Sequence, residues 1–116
     1  MAKEKILIVD DDDDIVFSMR LPLEAADYKV FRAGSSQEGL QQVKKIHPDL
    51  ILLDVMMDTT TAGFQMSLTL RNPDPASEYA AYKKIPIIFN KLVYVNENFA
   101  YSFNILLFCF LPLSFR

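Results

Sequence analysis

The sequence predicts an α/β protein with a doubly wound parallel sheet and helices on both faces. Two observations carry that expectation. Three short apolar runs, Ile6–Val9, Leu50–Leu53 and Ile85–Phe89, are continuous rather than alternating, as strands covered on both faces read. Segments with helical spacing separate the runs, and parallel strands need right-handed crossovers of that kind. The implied order is β-α-β-α-β-α-β. At 116 residues the chain has the length of one domain with a sizeable core.

The elements follow in order. Behind Ile6–Val9 stand five consecutive carboxylates, Asp10 to Asp14. Asp13 or Asp14 suits the N-cap of a first helix, whose apolar positions are Ile15, Met19 and Leu23. Pro22 falls inside that pattern and is expected to kink or shorten the helix. Lys29–Arg32 reads as a weaker strand, nearer an edge. A second helix is marked by a capping box, Ser35 with Glu38, and by a stripe of Leu40, Val43 and Ile46. Lys44 and Lys45 lie near its C-terminus as a solvated face, and His47-Pro48 ends it. After Leu50–Leu53, residues 62–72 read as a third helix carrying Phe64 and Leu68, closed by Asn72-Pro-Asp-Pro75. Residues 78–84 allow a helical turn or two before the last strand. Met56, Met57 and Met66 read as core or rim residues.

Residues 90–116 depart from this scheme. They hold three charges, Lys91, Glu97 and Arg116, and seven of the chain's fourteen aromatics. No clean helical or alternating pattern runs from Asn96 to Asn104. Ile105–Leu111 is apolar and then meets Pro112, whereas a membrane span needs roughly 20 apolar residues, so a tail anchor is not expected. The residue types are those of AT-rich codons, as a shifted reading frame or a truncated gene end would supply. The expected division is therefore a domain over 1–89 and an atypical apolar tail over 90–116.

Composition narrows the function classes. Apolar residues make up 51% and charged residues 23%, an ordinary globular balance. A net charge of -3 gives no electrostatic case for nucleic acid. Cys109 stands alone, which excludes a disulfide framework and a Cys-based metal site. Lys3 and Lys5 precede only four apolar residues, too few for a signal peptide, so a cytoplasmic setting is expected.

Chemistry concentrates where acids close strands. In a doubly wound sheet the functional crevice lies at the carboxyl ends of strands, where the winding reverses. Asp10 and Asp11 end the first strand and Asp54 the third. Carboxylates gathered there repel one another, and a hard divalent cation relieves the repulsion. Mg²⁺ binds through one or two carboxylates, waters and a phosphate oxygen. An Asp carboxylate beside it can attack phosphorus to give an acyl phosphate, so Asp54 reads as acceptor and the Asp run as metal seat. The plainer reading is that acids favour helix N-termini, and it suffices for Asp13 and Asp14. It does not explain Asp54, which has no helix start to cap. His47 reads as a helix-end residue.

The segments ILIVDDDDDI, HPDLILLDVMM and KKIPII together resemble the receiver domain of bacterial two-component response regulators, over residues 4–89. The resemblance implies a flavodoxin-like, CheY-like fold and a phosphoryl group accepted from a sensor histidine kinase or a phosphotransfer protein. Asp10 and Asp11 match the acidic pair that holds Mg²⁺, Asp54 matches the phosphoacceptor, and the Met56 backbone carbonyl matches the position that completes the metal site. Gly63 matches the glycine that opens the third helix, although the loop Asp58-Thr-Thr-Thr61 departs from the usual one. Where the family has a Ser or Thr after the fourth strand this chain has Lys91, a possible phosphoryl contact, with Asn90 at a normally apolar position. The final helices, fifth strand and Lys-Pro pair find no match after residue 92, so the fold is expected to be incomplete or aberrant after the fourth strand.

The resulting expectation is a signalling switch rather than a metabolic enzyme, acting through an unknown output protein, with no nucleic-acid or membrane partner. The alternative is a degenerate receiver that binds proteins without a phosphorylation switch. A Mg²⁺-dependent phosphohydrolase is a weaker rival, since Met56 stands where its second acid is wanted.

Overall fold

The computed structural model describes residues 3–54, 62–90, 92–96 and 99–102. In chain order the elements are β1 (Lys5–Val9), α1 (Asp13–Ala25), β2 (Lys29–Ala33), α2 (Ser36–Ile46), β3 (Leu50–Asp54), α3 (Ala62–Leu70), a single 3-10 turn (Ala80–Tyr82), β4 (Ile87–Asn90), β5 (Leu92–Asn96) and β6 (Phe99–Ser102). The first four strands form one parallel sheet in the order β2-β1-β3-β4. The chain winds outward from β1 to β2, then crosses back to β3 on the other side of β1. The winding therefore reverses between β1 and β3, and β2 lies at the sheet edge as its weak apolar character suggested.

Continuous apolar strands mean that both faces are covered. Ile6, Ile8, Leu50 and Leu52 point to one face and pack with Val16, Met19 and Leu23 of α1. Leu7, Val9, Ile51 and Leu53 point to the other and pack with Val43 and Ile46 of α2 and Met66 and Leu70 of α3. Each such side chain removed from water contributes about 1.5–3 kcal/mol, so β1 and β3 are the most firmly held part of the sheet. Gly39 lets α2 approach closely: a Cβ there would lie 3.1 Å from Val9 Cγ1 and 3.0 Å from Met66 Cε.

Several local expectations are corrected. The N-cap of α1 is Asp12, not Asp13 or Asp14; its carboxylate accepts from the amides of Asp14 and Ile15 at 2.9 and 3.2 Å. Pro22 does not shorten α1, which runs on to Ala25; the proline is exposed, and its carbonyl accepts from Ala26 N–H at 3.0 Å. The cap of α2 is Ser35, with its hydroxyl accepting from Glu38 N–H at 3.2 Å, but the Glu38 carboxylate accepts from Gly34 N–H at 3.1 Å instead of reaching back to Ser35. His47 ends α2 in the left-handed conformation at φ 50°. Along α3 the buried face is Gly63, Met66, Ser67 and Leu70, whereas Phe64 and Leu68 stand 52% and 57% exposed. The last strand of the sheet starts at Ile87, because Ile85 N–H is used to close the 3-10 turn on Tyr82. Downstream, β5 and β6 pair antiparallel as a separate two-stranded sheet, where no strand was expected.

Candidate functional site

The two strands that flank the reversal end in acids. At the end of β1 the Asp10 amide donates to Ala33 O at 3.0 Å, carrying the β1·β2 ladder one residue past Val9. That bond turns the Asp10 carboxyl inward, where the residue is 1% exposed. Its Oδ1 accepts the Asp12 amide at 2.9 Å, so the chain folds back over it before Asp12 caps α1. Asp11, between them, is exposed. On the adjacent strand Val9 pairs with Leu53, and Asp54, one residue on, is half-buried at the same end of the sheet.

The fold thus brings together three of the residues expected from the sequence. Asp10, Asp11 and Asp54 each offer a carboxylate oxygen, and these three atoms lie within 4.8 Å of one another. One acid is buried, one half-buried and one exposed, so the cluster is anchored at its base and open at its mouth. All three donors are hard anionic oxygens, the set that suits Mg²⁺, Ca²⁺ or Mn²⁺ rather than a metal that prefers sulfur or imidazole. The residues present fit a hard divalent cation. His47 lies elsewhere, just ahead of β3 at the opposite end from Asp54, with its ring 5.4 Å from that of Tyr82. Met56 and Lys91, expected at the same site, lie outside the described residues.

One residue near the site escaped the sequence reading. Arg32, paired in register with Ile8, reaches from β2 over the β1–α1 loop. Its guanidinium donates to the Asp10 carbonyl at 3.3 Å and forms an ion pair with the Asp13 carboxylate. The available signal was a cation one position before the end of the strand adjacent to the Asp run. No helix among the described residues is long and apolar enough to cross a membrane.

The chain is similar to known proteins in sequence and fold. The family model for the response regulator receiver domain matches residues 6–89. The transcriptional regulatory protein YvrH of Bacillus subtilis is 36% identical over 90 residues, covering 77% of this chain and 34% of that protein. The alkaline phosphatase synthesis transcriptional regulatory protein PhoP of the same organism is 43% identical over 54 residues, covering 47% of this chain and 22% of that protein. The chain thus spans about a third or less of the length of these curated relatives. Among solved structures, the chemotaxis protein CheY4 of Vibrio cholerae matches at 30% identity and a TM-score of 0.68, over 84% of this chain and 75% of that one. The N-terminal domain of a response regulator receiver protein from Methanoculleus marisnigri matches at 27% identity with the same TM-score, over 84% and 73%. With the acidic pocket at the sheet reversal and a family match over most of the chain, this protein belongs to the response regulator receiver domains, the signalling domains of two-component systems.

Proposed function

We propose that this chain is a phosphoacceptor in a two-component phosphorelay, phosphorylated on Asp54 with Mg²⁺ held by Asp10, Asp11 and the backbone carbonyl of Met56. The observation that carries the reading is the convergence of the Asp10, Asp11 and Asp54 carboxylates within 4.8 Å at the sheet reversal. Residues 1–89 form the receiver-like domain and 90–116 an atypical apolar tail that does not match the family. The donor is a phosphohistidine on a sensor kinase or phosphotransfer protein, the output passes through a partner protein, and the setting is cytoplasmic.

The chemistry follows from the placement of the acids. A carboxylate oxygen of Asp54 attacks the phosphorus in line with the phosphorus–nitrogen bond. A P–O bond forms, the P–N bond breaks, and the departing imidazole nitrogen takes up a proton. The metal supplies neutralisation of charge on the phosphoryl oxygens as the transfer proceeds. Asp10 is fixed by its backbone bond to Ala33 and by the Asp12 amide, so its carboxylate needs little reorganisation. Asp54 stands at the rigid end of β3 yet remains reachable, as an acceptor must.

The test is intact mass after incubation with acetyl phosphate, with and without Mg²⁺, for the parent chain and Asp54→Asn. We expect a gain of one phosphoryl group that needs Mg²⁺ and is abolished in the variant. No gain in a folded sample would shift the assignment to a binding module without a switch, the reading that Lys91 favours by replacing the family's hydroxyl residue.

A further inference from the structure

We propose that Arg32 is a positioning residue that holds Asp11 ready for the divalent cation, an inference that rests on Asp10 and Asp11 forming the metal seat. Asp11 is exposed and sits in a run of five carboxylates, with Asp10 and Asp12 beside it in the loop and Asp13 and Asp14 opening α1. Like charges at that density favour an open loop. Arg32 spans the loop from outside. One terminal amino group donates to the Asp10 carbonyl at 3.3 Å, on the near side of Asp11, and the other pairs with the Asp13 carboxylate, on its far side. Asp11 and Asp12 are therefore held between two anchors that meet at one guanidinium.

The guanidinium is fixed in turn. Its backbone is locked in β2 opposite Ile8, and its Nε–H is buried without a hydrogen bond among the described residues. A buried donor left unsatisfied is unfavourable, and the rigid fork of Arg tolerates it here because both terminal nitrogens are engaged at once. The base of the same loop is tied by the bond from Asp12 N–H to the Asp10 carboxylate. Arg32 thus closes a turn in which the Asp12 carboxylate is taken up by the α1 cap and the exposed Asp11 is left for the ligand.

The sign of its effect on metal affinity separates this role from a simple charge effect. As a nearby cation, Arg32 opposes Mg²⁺, so replacing it with a neutral residue would tighten binding and free the Asp13 carboxylate to tighten it further. As a clamp, its loss weakens binding. Lysine keeps the charge but cannot bridge both anchors, so Arg32→Lys should fail alongside Arg32→Met.

The experiment is a calorimetric Mg²⁺ titration of the full chain at fixed ionic strength, for the parent, Arg32→Met, Arg32→Lys and Asp11→Asn. Amide hydrogen exchange of Asp12 is followed in the metal-free proteins, and denaturant unfolding checks the fold. Both Arg32 variants should bind roughly tenfold more weakly, the lower end for loss of a group that orients a metal ligand, and should exchange the Asp12 amide faster at unchanged stability. Tighter binding by Arg32→Met with parent-like Arg32→Lys would overturn the proposal in favour of charge alone. Unchanged affinity and exchange in both variants would overturn it outright. If Arg32→Met does not fold, Arg32→Lys alone decides by the same criteria. Absence of saturable parent binding, or binding indifferent to Asp11→Asn, overturns the metal reading itself and this inference with it.

Discussion

Strands β1 and β3 are held by burial, whereas the segment after α3 is held largely by polar ties at the surface. Leu7, Ile8, Val9, Ile51 and Leu53 have no exposed area, and helices cover them from both faces. On the flank, Ile87 and Ile88 are half-buried and Phe89 is 40% exposed. There the Arg71 guanidinium donates to the carbonyls of Lys83 and Ile85, and Lys44 pairs with Glu78 at 2.9 Å across to α2. From this flank Tyr79, Tyr82, Ile85 and Ile87 add apolar contact to one side of the core and Ile88 to the other, all as partly buried neighbours. The difference teaches that the acids are carried by the strands the core protects best. Asp10 is separated from β4 by a whole strand, whereas Asp54 meets β4 directly through its register with Asn90.

The sharpest way to break that comparison is truncation on either side of it. Ile51→Ala removes a side chain with no exposure and should cost about 3–4 kcal/mol, within the usual range for emptying a packed core. Phe89→Ala should cost about 1 kcal/mol, well below the figure for a buried aromatic, since much of the ring already meets solvent. Denaturant midpoints for both variants check this, and equal losses would show that β4 is as integral to the core as β3.

A finer probe sits beneath the site. Alanine at position 39 is intrinsically better in a helix than glycine by about 1 kcal/mol. The added methyl would nevertheless press on Val9 Cγ1 at 3.1 Å and Met66 Sδ at 3.1 Å. Met66 can swing aside, but Val9 is β-branched and fixed in β1 one residue before Asp10. With overpacking typically costing 1–3 kcal/mol, Gly39→Ala should be net destabilising by about 1 kcal/mol. A stabilised variant in thermal unfolding would show that α2 can retreat from β1 freely.

What could be read in advance tracks the same division. The site-bearing strands were legible because continuous apolar runs have few interpretations, and acids that close two of them stand out. The identity of the N-cap was not, since five consecutive Asp residues are chemically equivalent and only the turn over the Asp10 carboxylate selects Asp12. The buried face of α3 was misjudged for a physical reason: Phe64, Met66, Leu68 and Leu70 alternate along nine residues, so no single face is marked. Arg32 was passed over because its partners, Asp10 and Asp13, lie about twenty residues away and meet it only through β1·β2 pairing. The β5–β6 pair was missed because Leu92–Val95 is apolar throughout and does not alternate.

The smallest effect belongs to the polar tie between α2 and the flank, and pH separates it from everything else. The hydrogen bond from Lys44 is the main reason the Glu78 carboxyl titrates below its ordinary value of 4.5. The same bond is the main reason Lys44 titrates above 10.5, and burial raises Tyr79, over whose ring Lys44 lies at 4.7 Å. A lowered acid contributes stability that is present above its unfolded value and lost as pH falls through the folded one; a raised base contributes below its unfolded value and loses it as pH rises through the folded one. The tie is therefore whole between those limits and fails at both ends. Both side chains are exposed, so the contribution is slight and screened by salt. Glu78→Gln should lower the denaturant midpoint a little at pH 7 in dilute buffer, and the gap should close in high salt and again near pH 3. A gap that persists at pH 3 would mean that Glu78 acts by packing rather than by charge. Mg²⁺ affinity in Glu78→Gln should match the parent throughout, because the Lys44–Glu78 pair involves none of the three acids at the sheet reversal.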